Sequence, residues 1–404
     1  MCCVHMLQRI AYRELMVRGL LGLLCFVLLA ACGQQPSSEN TALVEMRGVW
    51  LTNVDSDVFD SPEQIDEALS FLDAHNFNTV FPVVWHNGYT LYPSETMEEH
   101  FGLLDHPDYD GRDILQEIID AAESYDIAVV PWFEFGFSSD NEPDGPGHIL
   151  QSRPEWAARD NSGEILIKNG FRWMNAYHSE VQEFVSALVL EVAQAYAVDG
   201  VQGDDRLPAQ PVEGGYSSVT QDLYAQHHAG ELPPSDVRDP DWKRWRASQL
   251  NAFAEQLYGE IKSIDSTLWV SWSPSVFPWS YNEYLQDWPA WINGGYADLV
   301  HAQVYRRDID RYQETLASLD PDSLGVPLEF KSYMSPGLLV KSGPYVIGED
   351  DLLEKIDTNR SLGYMGEVHF FYEGLRENDD RLASHLINTV YTEAARSPLR
   401  AYRP

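Results

Sequence analysis

The stretch VDGVQGDDRLP, residues 198–208, has the pattern of a short buried strand that ends in two adjacent carboxylates, Asp204 and Asp205. Side chains alternate between the two faces of a strand, so Gln202 and Asp204 share one face and Val201 lies on the other. The face with Val201 is expected to pack on surrounding helices. Gln202 and Asp204 are therefore predicted to point into a barrel, with Asp204 at its carboxyl-terminal rim.

Seven further apolar runs, rich in Val, Phe, Trp and Tyr, alternate with longer segments of helical spacing. Strand–helix alternation favours a parallel sheet, and eight repeats in residues 45–404 favour an α/β fold, a single (β/α)8 TIM barrel. No Gly-rich phosphate motif follows the first run, which disfavours an open dinucleotide-binding sheet. The eight predicted strands are Arg47–Asn53, Thr79–Trp85, Ile127–Phe133, Gly200–Asp204, Leu268–Ser273, Asp298–Tyr305, Val326–Lys331 and Glu367–Tyr372.

The helical segments have recognisable ends and apolar faces. Ser61 followed by Pro62 has the pattern of a serine cap with proline in the first helical turn. Long loops at residues 86–110, 138–177 and 207–237 all follow strands, at the C-terminal face where barrel active sites are built. Further helices are predicted at Ile114–Ser124, Val181–Tyr196, Asp239–Ile264 and Asp379–Ala394.

The amino-terminal region has the pattern of an export signal. Three arginines in residues 1–18 precede the apolar run GLLGLLCFVLLAA, which is too short to cross a bilayer comfortably and ends at the lipobox-like tetrapeptide LAAC. We expect residues 1–32 to be a lipoprotein signal peptide with Cys32 acylated, residues 33–44 a polar tether and residues 45–404 one catalytic domain. An ordinary secretory signal or a short anchor is the alternative. The protein would face the periplasm or the cell exterior, anchored to a membrane through Cys32.

Composition excludes several classes of chemistry. All four cysteines lie at or before residue 32, so the body has no thiol for disulfides, zinc ligation or nucleophilic attack. The net charge of -36 disfavours nucleic acid and anionic membrane surfaces as partners. The G-x-S-x-G motif that carries the nucleophilic serine of many hydrolases is absent, which disfavours serine hydrolase chemistry. A metal site could be formed by His86, Asp204, Asp205 and His301, but no HExxH motif or close pair of histidines supports a metal site. We expect no metal and no cofactor.

Other predicted strand ends also carry acids. Glu134 follows the third strand within WFEFG, and an apolar pocket raises a carboxyl pKa, as a general acid requires. Glu373 follows the eighth strand, and Glu329 lies in the seventh, where an ion pair with Lys331 is the plain alternative. Glycoside hydrolysis requires one acid and one nucleophilic or basic carboxylate. The predicted catalytic residues are Asp204, Glu134, Asp205 and Glu373.

Aromatic and amide side chains accompany these acids at the strand ends. Aromatic faces stack on the C–H surface of sugar rings, and amides, imidazoles and carboxylates form hydrogen bonds with hydroxyl groups. Each single Trp is more often a core residue, but their number near strand exits predicts a polysaccharide site. The predicted substrate-binding residues are Trp50, Trp85, His86, Trp132, Gln202, Arg206, Trp279, Gln303, Tyr305, Glu329 and Tyr372.

Five segments resemble, in order, the bacterial glycosyl-hydrolase-like family 10: EMRGVWLTNVDSD, NFNTVFPVVWHNGYTLYPS, VVPWFEFGF, YAVDGVQGDDRLP and HAQVY. In that family the fourth-strand motif usually reads DGIHFDDY and the sixth strand ends in PQVYW. The paired aspartates and the QVY of residues 303–305 match. Gln202 replaces the usual histidine, Gly203 replaces phenylalanine, and Arg206 begins a non-aromatic exit, so the substrate can differ.

The resemblance implies a (β/α)8 glycosidase from a group that includes envelope lipoproteins, one of which cleaves peptidoglycan glycan strands stripped of their peptides. Kinship to amylase-like barrels implies that Asp204 is nucleophile or base. The acid of those enzymes follows the fifth strand, where residues 268–279 have no carboxylate, so Glu134 is preferred to Glu373 and Glu329. The hypotheses are an envelope-anchored glycoside hydrolase or a non-catalytic carbohydrate-binding lipoprotein.

Overall fold

The eight parallel strand segments at the centre of the fold follow the order of a (β/α)8 barrel in this computed structural model, which describes residues 43–402 except 110 and 144. The predicted signal peptide, Cys32 and most of the tether lie outside the described residues. The strands are β1 (Met46–Leu51), β2 (Thr79–Pro82), β3 (Ala128–Val129 and Trp132–Phe133), β4 (Gly200–Gly203), β5 (Trp269–Trp272), β6 (Leu299–Val300), β7 (Gly337–Leu339) and β8 (Gly366–Phe370).

Parallel pairing runs β7-β8-β1-β2-β3 in one sheet and β3-β4-β5-β6 in the other. Strand β3 belongs to both sheets, because its first half pairs with β2 and its second half pairs with β4. Pro131, which has no N–H for a ladder, lies between the two halves. Single parallel bridges from Val300 to Met334 and from Gln303 to Gly337 connect β6 with β7. The predicted α/β barrel architecture is confirmed.

The helices pack around the strands. Ser61 caps the first helix, since its side chain accepts a hydrogen bond from the backbone N–H of Gln64, and Asp239 caps the long helix that begins at Pro240. Both predicted starts are confirmed. The helices are α1 (Pro62–Ala74), α2 (Glu95–Phe101), α3 (Ile114–Glu123), α4 (His148–Ser152), α5 (Ser179–Ala195), α6 (Ser218–His227), α7 (Pro240–Ile264), α8 (Trp279–Tyr284), α9 (Trp288–Gly294), α10 (Ile309–Ser318), α11 (Pro321–Leu324), α12 (Glu349–Leu362), α13 (Tyr372–Thr389) and α14 (Pro398–Ala401).

The predicted seventh strand, Val326–Lys331, is wrong. Residues Leu328–Tyr333 form a 3-10 helix, and β7 begins only at Gly337. Val326 is buried, but Leu328 is 64% exposed and Lys331 pairs with Asp320, so the run as a whole is not a buried strand. The error arises because a short apolar run does not by itself distinguish a strand from a helical turn.

The last long helix also differs from the prediction. It begins at Tyr372 rather than at residue 379, and the backbone at Asn378, Asp379 and Asp380 has positive φ angles that kink it. The second long loop is ordered by an antiparallel sheet of Ser138–Asp140, Ile167–Lys168 and Phe171–Trp173. None of the helices described within residues 43–402 has both the length and the apolar character needed to cross a membrane.

Candidate active site

Strand β4 directs its side chains as the alternation predicts. Gln202 is fully buried inside the barrel, where its Oε1 accepts from Trp50 Nε1 at 2.7 Å and its Nε2 donates to Ser271 Oγ at 3.0 Å. Val201 packs in the core on the other face. Asp204 is only 2% exposed at the carboxyl end of the strand. Gln202 therefore supports the barrel interior, and the prediction that it binds substrate directly is corrected.

Gly203 allows β4 to approach its neighbour closely. A Cβ atom at this position would lie 2.5 Å from the Trp272 ring on β5. The phenylalanine that the related motif has at this position would not fit. Only glycine fits at this position, because the Trp272 ring on the adjacent strand occupies the space that a side chain would need.

Both carboxylate oxygens of Asp204 accept hydrogen bonds. Oδ1 accepts from Gln303 Nε2 at 2.8 Å and from Ser273 Oγ at 3.0 Å, and Oδ2 accepts from Arg206 Nη2 at 3.2 Å. Burial and the neighbouring Asp205 raise the pKa of Asp204 well above its ordinary range, and Arg206 opposes that rise. Three donors match the acceptor-only chemistry of an ionised carboxylate and hold it in one orientation.

Arg206 lies among three carboxyl groups. Its Nη2 is 3.0 Å from Glu134 Oε1, its Nη1 is 3.3 Å from Asp205 Oδ1, and its Nε donates to the Glu134 carbonyl at 2.9 Å. The guanidinium carbon lies 4.7 Å from the centre of the Phe171 ring. Burial opposes the charge, but Asp205, Asp204 and Glu134 together raise the pKa of Arg206. Arg206 is engaged by groups of the protein itself, and its role in substrate binding stays a prediction.

Glu134 differs from Asp204 in its hydrogen bonding. Its Oε2 has no hydrogen-bond partner among the described residues and lies 4.0 Å from His86 Nε2. Burial raises the pKa of Glu134, and Arg206 opposes that rise. Burial also lowers the pKa of His86 to about 3, so the imidazole is neutral, and its Nδ1 lies 3.4 Å from Asn53 Nδ2. Burial and the neutral imidazole favour the protonated form of Glu134, and its buried Oε2 accepts no hydrogen bond from the described residues.

Asp205 has a supporting position. Its Oδ2 accepts from Ser275 Oγ at 3.3 Å, and its side chain is more exposed than that of Asp204. Three carboxyl groups around one guanidinium carry a net charge of about -2 when all are ionised, which favours retention of a proton within the cluster. Among the described residues, no three His, Asp or Glu side chains form a group suited to a metal ion.

The predicted sugar-stacking aromatics fall into two groups. Trp50, Trp85, Trp132 and Tyr372 are at most 4% exposed, so none offers a free ring face, and their predicted role as sugar platforms is corrected. The prediction failed because the position of an aromatic residue near a strand end does not show whether other residues bury its ring. Trp279, at the start of α8, is 46% exposed and remains a candidate platform.

Gln303 and Tyr305 lie beside Asp204, in the segment that follows β6. Gln303 donates to Asp204, as described above, and burial followed by the charge of Asp204 raises the pKa of Tyr305. The Tyr305 ring centre lies 5.0 Å from that of Phe370. These two predicted residues therefore join the carboxylate cluster.

Two predicted acids lie elsewhere. Glu329 is exposed in the 3-10 helix before β7, hence toward the amino-terminal ends of the strands, and its predicted place in the site is corrected. Glu373 accepts from Ser56 Oγ at 2.7 Å and lines a depression of about 220 Å³ with Glu67 and Arg376. Glu373 therefore belongs to a depression whose lining residues do not include the Asp204 cluster.

Sequence reasoning missed three polar residues around the aspartates. Ser273 and Ser275 donate to Asp204 and Asp205, and Gln286 Nε2 donates to the Asp204 carbonyl at 2.9 Å. Ser273 lies two residues after Ser271, whose side chain points into the barrel, so the alternation along the fifth strand would have identified Ser273 as inward-facing. Gln286 comes from a loop, and no periodicity predicts its direction.

Comparisons with known proteins identify the family of this chain and its relatives. The model of the family Glycosyl hydrolase-like 10 matches residues 45–323. A relative from Escherichia coli strain K12, glycosyl hydrolase DigH, is 24% identical over 325 residues, which cover 68% of this chain and 69% of the relative.

Solved structures show the same fold. The PgaB (BpsB) glycoside hydrolase domain from Bordetella bronchiseptica has a TM-score of 0.61 at 13% identity, covering 84% of this chain and 98% of that domain. The catalytic domain of β-amylase from Paenibacillus polymyxa has a TM-score of 0.62 at 11% identity, covering 87% of this chain and 100% of that domain. At such identities these similarities establish the TIM-barrel fold alone.

Proposed function

The chain belongs to the Glycosyl hydrolase-like 10 family, and from that membership we propose that it is an active glycosidase that cleaves a polysaccharide. Glu134 is the general acid and Asp204 the nucleophile or base. One observation carries the assignment: Asp204 accepts three hydrogen bonds on its two oxygens, whereas Glu134 Oε2 has no partner among the described residues.

The two carboxyl groups have different roles in glycoside hydrolysis. Glu134 gives its proton to the glycosidic oxygen as the bond between that oxygen and the anomeric carbon breaks. Asp204 supplies negative charge to the anomeric carbon, either directly or through a water molecule that it deprotonates. Water finally provides the hydroxyl of the new reducing end and restores the proton on Glu134. Asp205 shares Arg206 with both groups and supports their charges.

The proposed substrate is a glycan of the bacterial envelope, with peptide-free peptidoglycan strands as the first choice. The family resemblance supports that choice, and so does the lipobox-like sequence that ends at Cys32. We propose that the protein is an exported lipoprotein held to a membrane through Cys32. Incorporation of labelled palmitate that is lost in Cys32→Ser tests this proposal, and equal labelling of both proteins would contradict it.

The first experiment is reducing-end release by the full-length chain in mild detergent, from peptide-free peptidoglycan strands and a panel of neutral polysaccharides. Asp204→Asn and Glu134→Gln should each lower turnover at least about 100-fold, because each removes one of the two proposed catalytic carboxyl groups. Glu329→Gln is the matched control, since it makes the same change at an exposed glutamate away from the cluster. Full activity in Asp204→Asn and Glu134→Gln would refute the assignment.

A second candidate is a non-catalytic carbohydrate-binding protein. It is favoured by the burial of Asp204, whose oxygens are both occupied by donors from the protein. Glycan binding by the wild-type chain without any release of reducing ends after long incubation would select this candidate. Release by the wild type that is lost in Asp204→Asn would exclude it.

A further inference from the structure

One nitrogen of Arg206 connects the two proposed catalytic carboxyl groups. Nη2 lies 3.0 Å from Glu134 Oε1 and 3.2 Å from Asp204 Oδ2, with hydrogen-bonding geometry in both cases. Its two hydrogen atoms thus point to two different carboxyl groups that are 70 residues apart in sequence. Further contacts of the side chain, to the Glu134 carbonyl, to Asp205 and to Phe171, hold the guanidinium in place.

This shared nitrogen limits the distance between Glu134 Oε1 and Asp204 Oδ2. Two oxygens held at 3.0 and 3.2 Å from one atom are separated by at most about 6.2 Å. The hydrogens on a planar guanidinium nitrogen diverge at about 120°, which gives a separation of about 5.4 Å. Retaining glycosidases place their carboxyl groups about 5–5.5 Å apart, whereas inverting enzymes need about 6.5–9.5 Å to admit a water molecule. With this geometry, the separation of Glu134 Oε1 and Asp204 Oδ2 falls in the retaining range.

We propose that the enzyme retains anomeric configuration and that Arg206 is the positioning residue that sets the spacing of Glu134 and Asp204. The inference rests on the proposed glycosidase function and specifies its mechanism. Asp204 acts as nucleophile rather than base, because the spacing leaves no room for a water molecule between it and the sugar. Arg206 does not touch the substrate, since its nitrogens are engaged by Glu134, Asp204 and Asp205.

The reaction then proceeds in two displacements. In the first, Asp204 Oδ2 or Oδ1 forms a bond to the anomeric carbon while the glycosidic C–O bond breaks and Glu134 protonates the leaving oxygen. In the second, Glu134 removes a proton from water, whose oxygen displaces Asp204 from the anomeric carbon. The net change is addition of one water molecule across the glycosidic bond, with both side chains restored.

The stereochemical experiment uses the full-length wild type on the glycan that it cleaves in the reducing-end assay. Proton NMR records the anomeric configuration of the first-formed reducing end, before mutarotation, and a parallel reaction contains methanol as acceptor. We expect the configuration of the cleaved bond to be kept and a methyl glycoside of the same configuration to form. Inversion without methyl glycoside would overturn the inference while leaving the glycosidase function intact. Absence of any release would refute the proposed function, and this inference with it.

The role of Arg206 is tested with Arg206→Met and Arg206→Lys. Loss of the shared nitrogen should lower kcat/KM about 100-fold, mostly through a lower kcat. This is the effect expected when a catalytic group is misplaced by about an ångström. Because the guanidinium favours the ionised form of Asp204, its removal in Arg206→Met should move the acid limb of the pH profile to higher pH. Arg206→Lys keeps the charge and should restore that limb while kcat stays low.

A folding defect alone would not produce this pattern. Arg238→Met, at a half-exposed arginine that pairs with Glu283, removes a guanidinium elsewhere and serves as the control. An Arg206→Met protein that folds with an unchanged pH profile and unchanged kcat would overturn the positioning role. If Arg206→Met fails to fold, the pH profile of Arg206→Lys and the wild-type stereochemistry still decide the inference.

Discussion

Protonation of a buried histidine should weaken this fold in mild acid. His301 is fully buried after β6, with Nδ1 3.3 Å from the Ser335 carbonyl and its ring centre 5.1 Å from that of Phe81. Its Nε2 has no hydrogen-bond partner within the described residues. Burial lowers the pKa of His301 from 6.5 to about 4. The folded state therefore strongly prefers the neutral imidazole.

The size of the effect follows from the difference between the two pKa values. A pKa difference of about 2.5 is equivalent to about 3 kcal/mol, since each pKa unit corresponds to about 1.4 kcal/mol. The folded pKa is the lower one, so the unfolded chain binds more protons as pH falls through 6.5. The stabilisation is complete above pH 6.5 and is lost toward pH 4. Between pH 7.5 and 5 the loss is about 2 kcal/mol.

The assay is urea unfolding of the full-length wild type, His301→Gln and His227→Gln at pH 7.5 and pH 5. His301→Gln lowers the free energy of unfolding at both pH values, but its further loss on acidification should be about 2 kcal/mol smaller than that of the wild type. His227 is exposed, so His227→Gln should follow the wild type. An identical acid-induced loss in the wild type and His301→Gln would refute the reasoning.

Three further predictions concern the site. Glu134→Gln should remove the basic limb of the kcat/KM pH profile, because wild-type activity falls once the pH exceeds the raised pKa of Glu134. A basic limb that persists in this variant would contradict the role of Glu134 as the acid. Gly136→Ala should lower Tm and activity together, because φ is +49° and a Cβ would lie 2.3 Å from the Arg206 carbonyl oxygen; an unchanged Tm would contradict this. Trp279→Ala should leave Tm unchanged and raise KM about fivefold, corresponding to about 1 kcal/mol of stacking, and an unchanged KM would exclude Trp279 as a platform.

Features encoded in local sequence were predicted well. The alternation in β4 predicted the burial of Gln202 and the inward position of Asp204, because a strand repeats every two residues whatever surrounds it. The cap at Ser61 depends only on residues within one helical turn. The barrel itself followed from eight repeats of strand and helix. Residues 326–331 were wrongly predicted to form a strand, because a short apolar run has no periodicity that distinguishes a strand from a helical turn.

The chemistry of the site depends on residues that meet only in the folded chain. Sequence alone nominated Glu134 and Asp204 as acids, from their places after predicted strands. It did not reveal that Arg206 joins them through one nitrogen, because that contact requires β3 and β4 to lie side by side with their carboxyl ends at one rim. Nor did it distinguish the exposed Trp279 from the buried Trp85, since exposure is set by neighbours distant in sequence. Residue type and strand order were thus determined locally, whereas protonation, spacing and access were decided by tertiary packing.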